Sequence, residues 1–193
     1  MNPFSLYKDI LEKYLSTFTI LKLEEAWNES RRKYHNIDHL RQILIDLEKK
    51  RNLVIPIHHE ALILAAFFHD AVYIPGHADN EDKSLQLFIR CFRGEDWHMA
   101  KKIGEMIECT KYRKRPAHPL LKIFWDADNA MFFKGDIKGL IENEHKIRRE
   151  FNFVSKEEYK KKRIDFLKTC LGTMGIKADG GIKELMKYIE EIY

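Results

Sequence analysis

Glycine and proline are scarce in this 193-residue chain, nine and five respectively, and cysteine is scarcer still at three. So few breakers exclude collagen-like and low-complexity chains and weigh against a turn-dense β architecture. Cys91, Cys109 and Cys170 are far apart and form no C-x-x-C pair. That excludes a disulfide framework and points to ordinary, partly buried side chains in a reducing compartment. No apolar run nears the roughly 20 residues that span a bilayer, so no membrane partner is expected. Met1-Asn2-Pro3-Phe4-Ser5 lacks the basic and apolar regions of a signal peptide, and a cytoplasmic location is expected. Neither sign of charge dominates. Thirty-four basic against thirty acidic residues leave +4, which suits an anionic small molecule and gives no indication of nucleic acid.

What is present favours helix. Hydrophobic residues make up 45% and charged residues 33%, with Leu, Ile, Lys and Glu abundant and no repeat or linker. The expectation is an all-α helical bundle forming one domain, with a core over about 30–135 and helices of 136–193 packed on it. Apolar spacing predicts helices over Phe4–Leu15 and about Thr19–Arg31, the second burying Leu21, Leu23 and Trp27. Asn36 is a good N-cap for a helix with an Ile37, Leu40, Ile43, Leu44, Leu47 stripe ending near Lys50. Pro56 opens a central helix expected to run from Ile57 to Tyr73, where Ile74-Pro75-Gly76-His77 breaks it. Asn80 or Asp79 caps the next, and another spans Glu95–Tyr112. An apolar segment, Leu120–Phe133, holds Asp126 and Asp128. Ile137–Phe151, Ser155–Leu171 and Ile182–Tyr193 complete the chain, with no convincing strand.

The central helix carries the chemistry. An apolar run from Ala61 to Phe68 ends in His69-Asp70, and burying such groups without partners costs on the order of 2–7 kcal/mol for a polar group and more for a charge. A divalent metal satisfies both. His39, one turn into its helix, and Asp128 offer matching ligands from two other segments. Two imidazoles and two carboxylates on one ion leave coordination positions open for water, whose pKa such an ion can lower toward about 7. A hydrogen-bonded polar network would satisfy the same burial rule.

His39, the His69-Asp70 doublet and Asp128 resemble the pattern of the HD superfamily of metal-dependent phosphohydrolases. Tyr34-His35-Asn36-x-x-His39 is also similar to the start of the cyclic-nucleotide phosphodiesterase domain, which implies His35 as proton donor and His39 as ligand. A bacterial subgroup of predicted HD phosphohydrolases is similar along nearly the whole chain. The matching stretches are Arg32 to His35, Phe68 to Tyr73, Asn80-Glu81, Asp126 to Asp128, Ile147 to Phe151, and Arg163. The resemblance implies a helical bundle that hydrolyses a small phosphate ester, a nucleotide in substrate class, with one divalent ion (Mg, Mn, Fe, Co, Ni or Zn). The metal ligands would be His39, His69, Asp70 and Asp128, with Asp126 as a substitute for the last. His35, Asp70 and Glu81 would act in catalysis; Arg32, Asn80, Arg148 and Arg163 would contact substrate. A second ion, with His98 and His118 in the relevant interval, and a homodimer stay open. The superfamily also hosts di-iron oxygenases, and a non-catalytic ligand-sensing or interaction module could keep the same site. For Arg32, Arg148 and Arg163 individually, and for the Lys111–Arg115 and Lys160–Arg163 runs, solvated or ion-pairing roles are the simpler reading. His58-His59, His77 and His145 are expected at the surface.

Overall fold

The computed structural model describes residues 2–112, 114–133, 136–174 and 176–193. Arg113, within the Lys111–Arg115 run, lies outside them. The protein is all-α, with no strand among the described residues. Helices α1 (Pro3–Leu6), α2 (Lys8–Tyr14) and α3 (Thr17–Trp27) are followed by α4 (Ile37–Glu48), α5 (Pro56–Phe68), α6 (Asn80–Cys91) and α7 (Trp97–Cys109). Then come α8 (Pro119–Asp128), α9 (Ala130–Phe133), α10 (Ile137–Glu150), α11 (Lys156–Cys170) and α12 (Ile176–Ile192). Among the described residues, no helix is long and apolar enough to cross a membrane.

The chain forms two compact units, Met1–Tyr112 with Pro116–Asp128, and Arg113–Arg115 with Asn129–Tyr193. The first is built around α5, which packs against α2, α4, α6, α7 and α8. Every residue from Ala61 to Phe68 is buried, so α5 is apolar all round, as a helix surrounded by others must be. Each fully buried Phe there stabilises the fold by about 1.5–3 kcal/mol. Phe67 meets Phe4 edge-on at 4.8 Å, and Phe68 meets Phe88 at 5.3 Å.

Local signals place most helix starts. Asn36 Oδ1 accepts from the Asp38 amide at 2.9 Å, and the Ser16, Asp96, Asp136 and Ser155 side chains cap α3, α7, α10 and α11 in the same way. Such a cap contributes about 1 kcal/mol. In α3 the buried residues are Thr19, Leu23 and Trp27 at i, i+4 spacing; Leu21 lies off that stripe and is exposed, contrary to expectation. The first expected helix breaks at Tyr7 into α1 and α2. His59 is also a correction: it is buried, with Nε2 at 3.2 Å from Glu48 Oε2, while His58 is exposed as expected.

The second unit packs α9, α10, α11 and α12 together. α12 begins six residues before the expected Ile182, and Gly181 explains why a glycine is tolerated there. A Cβ at that position would meet Leu140 Cδ1 at 3.0 Å, so its absence lets α10 and α12 approach closely. Fully buried Glu144 accepts from Tyr159 Oη at 2.5 Å and from Arg163 Nε at 2.8 Å.

Candidate metal centre

Three helices of the first unit, α4, α5 and α8, pack pairwise and each brings a functional group to one point. Asn36 starts α4 and places His39 in its first turn. α5 ends at Phe68, earlier than expected, so His69 is its C-cap and Asp70 lies just beyond the helix. Asp128 is the last residue of α8.

Asp128 Oδ1 lies 3.2 Å from His39 Nε2 and 3.5 Å from His69 Nε2, and Asp70 Oδ2 lies 3.3 Å from His69 Nε2. One donor atom each from His39, His69 and Asp70 falls within 4.8 Å of the others, a group that could hold a metal ion. Asp128 faces the histidines. Residues two apart on a helix point about 200° from one another, so one segment cannot aim both at the same place.

The spacing is loose for a hydrogen-bond network and close to that of ligands around one ion. Charge-assisted N–H···O bonds run about 2.7–2.9 Å, shorter than any of these contacts. Ligand bonds of about 2.1 Å give polyhedron edges of about 3.0 Å for octahedral and about 3.4 Å for tetrahedral coordination, a range that holds the 3.2 and 3.3 Å contacts and falls just short of the 3.5 Å one. His69 supplies a second test. Its Nδ1 donates to Ala66 O at 2.9 Å, and its buried Nε2 has no hydrogen-bond partner. In the neutral imidazole, a backbone carbonyl on Nδ1 leaves the Nε2 lone pair facing the carboxylates. With Nε2 facing two carboxylate oxygens, either a proton on that nitrogen or a metal ion between the three atoms satisfies the arrangement. Two imidazoles and two carboxylates are a donor set that could hold a metal ion.

Burial alone would lower the His69 pKa, but Asp70 and Asp128 overcome it and hold the imidazole well above its ordinary value. Burial would raise the carboxyls; His69 with His35 and His39 outweighs this at Asp70, and His39 with His69 does so at Asp128, leaving both well below the usual range. Exposure rises from His69 (1%) and His39 (7%) to Asp70 (13%) and Asp128 (17%), so the site opens on its carboxylate side. Trp27 and Phe124 wall the His69 ring at 5.5 and 5.9 Å.

Half-buried His35 stacks on Tyr73 at 4.2 Å between centroids and stands perpendicular to His39 at 5.8 Å. Asp70 feels its charge, so this imidazole borders the cluster. Cys109 is near enough for the Asp128 charge to act on it, after burial, in raising its thiol to about 12. It donates to Met106 O at 3.1 Å and stays protonated.

The expected substrate contacts are engaged elsewhere. The Arg32 guanidinium is buried and donates to Glu29 Oε2 at 3.0 Å and to the carbonyls of Asp70 at 2.5 Å, Ala71 at 3.1 Å and His35 at 3.4 Å. Asn80 forms a two-way pair with the backbone of Ile74, its Oδ1 accepting at 3.0 Å and its Nδ2 donating at 2.9 Å. Arg148 donates to Phe151 O and Val154 O, and Arg163 to buried Glu144, all inside the second unit. Arg163 is thus not on a solvated face. Glu81 sits half-buried in the first turn of α6, its charge felt by Lys111. His77, His98, His118 and His145 are exposed.

Ser84 was not foreseen. Its hydroxyl accepts from Val72 N at 3.1 Å and contacts Val72 O at 3.3 Å. One turn after Asn80, it grips the same extended segment, and the i, i+4 spacing of two small polar residues was the available signal. Together these bonds explain why α5 stops at Phe68: partners outside the helix take the backbone groups that would have extended it.

Compared with family models, curated proteins and solved structures, the chain gives no match. Fold and site define a class: an all-helical protein in which a buried His-His-Asp cluster, adjoined by Asp128, could hold a metal ion.

Proposed function

We propose that this chain is a metal-dependent phosphohydrolase of the HD type, acting on a small phosphate ester such as a nucleotide in the cytoplasm. The observation that carries the reading is the convergence of His39, His69 and Asp70 donor atoms within 4.8 Å of one another, with Asp128 Oδ1 3.2 and 3.5 Å from the two imidazoles. His39, His69, Asp70 and Asp128 would hold the ion. A divalent ion so held supplies a hydroxide from bound water and polarises a phosphoryl oxygen. Asp70 and Asp128, ionised at all ordinary pH values, neutralise positive charge at the centre. His35, stacked on Tyr73 with its ring centroid 5.8 Å from that of His39, would give a proton to the leaving alkoxide. Trp27 and Phe124 keep water from the histidine side.

Elemental analysis of purified protein, followed by phosphomono- and diester hydrolysis with Mn²⁺, Co²⁺ or Ni²⁺, tests this. One metal per chain is expected, with turnover that Asp70→Ala abolishes while helix content is retained. Two irons per chain would redirect the reading to an oxygenase. Bound metal without hydrolysis of any ester would leave a sensing or interaction module.

A further inference from the structure

Arg32 lies outside the ligand set, yet it touches the backbone on either side of it. Its side chain is 1% exposed, and a guanidinium is buried only where its fork is well matched. Here the fork spans two segments far apart in sequence. Nη1 and Nη2 donate to the Asp70 and Ala71 carbonyls, and Nη1 also reaches the carbonyl of His35. The Trp27 and Tyr73 rings lie 5.7 and 5.5 Å from the guanidinium. These are the rings that wall His69 and stack on His35.

The location explains the need. α5 ends at Phe68, so the backbone of Asp70 is outside the helical ladder that would otherwise set its carboxylate direction. The carbonyls after the last turn lack intrahelical donors and carry the negative end of the helix dipole. A cation bridging two successive carbonyls satisfies both and leaves Asp70 one orientation.

We infer that Arg32 is the positioning residue of the metal centre, fixing Asp70 as ligand and His35 beside it by clamping their backbones. This rests on the metal-centre reading. A substrate-clamping arginine would face the open side and leave metal affinity unchanged; a clamp on the ligand backbone acts through Asp70 before any substrate is present.

Co²⁺ titration of the full chain reads both affinity and the visible d–d spectrum, which reports ligand geometry. Arg32→Gln should weaken Co²⁺ binding by about 10- to 100-fold, the range seen when groups that orient metal ligands are removed. It should also change the spectrum of the Co²⁺-saturated protein. Arg32→Lys keeps the charge but not the fork, and should bind at least about tenfold more weakly than wild type; it decides the matter if the Gln variant does not fold. Wild-type affinity and an unchanged spectrum in the folded variant would overturn the inference while leaving the metal centre standing. Failure of the wild-type chain to bind Co²⁺, Mn²⁺ or Ni²⁺ would remove the centre itself and the inference with it.

Discussion

Asp128→Asn keeps the size and shape of the side chain and removes one charge from the cluster. As a ligand 3.2 and 3.5 Å from the two imidazoles, the Asp128 carboxylate carries charge that the amide cannot offer the ion. A loss of at least about 100-fold in Kd, the upper end of that seen on removing groups that merely orient ligands, is expected, or about 2.7 kcal/mol. At a Mn²⁺ or Co²⁺ concentration of about 100 times the wild-type Kd, metal stabilises the wild-type protein by about 2.7 kcal/mol and the variant by about 0.4. For a chain of this size that is a rise in Tm of about 5–11 °C against about 1 °C. Calorimetric titration and thermal melting with and without metal measure both, and Asp126→Asn is the control. Wild-type affinity in Asp128→Asn would refute the ligand assignment. A loss in Asp126→Asn instead would show that α8 presents its other aspartate.

Metal affinity should rise about tenfold per pH unit until the pH passes the raised pKa of His69, because the ion must displace the imidazolium proton; a pH-independent Kd between 6 and 8 would contradict this. The same shift sets metal-free stability. A His pKa raised on folding stabilises fully below the unfolded value near 6.5, and its contribution is lost as pH climbs through the folded one. Melting in chelator should therefore fall across that window. The lowered carboxyls of Asp70 and Asp128 act oppositely, stabilising above the ordinary carboxylate range and losing this as pH falls through their folded values. Among thiols, Cys91 is half-buried while Cys109 and Cys170 are buried, and Cys109 is raised to about 12. A disulfide reagent at pH 8 should titrate one thiol rapidly in native protein and three in denaturant; rapid labelling of Cys109 in the native state would refute its burial.

The residues of the cluster were legible because each carries a local signature. An imidazole and a carboxylate closing an apolar run are anomalous wherever the run packs, and a His one turn after an Asn cap has its direction set by helix geometry. The arginines were not legible. Arg32, Arg148 and Arg163 read as surface or phosphate-binding groups because a guanidinium's partner is not encoded near it: Arg32 finds carbonyls 38 and 39 residues away. His59 was misread for the same reason, its burial depending on where Glu48 arrives.

By itself, the amino-acid sequence determined an all-α protein, most helix starts and the residues able to ligate a metal, since periodicity, caps and residue chemistry are properties of a few neighbouring positions. Only the tertiary structure decided that α5 stops at Phe68 and that Asp128 meets the histidines. It also turned Arg32 inward, onto the backbone of the site. Each of these depends on which donor meets which acceptor across the packed helices, and that competition is resolved only when distant segments come together.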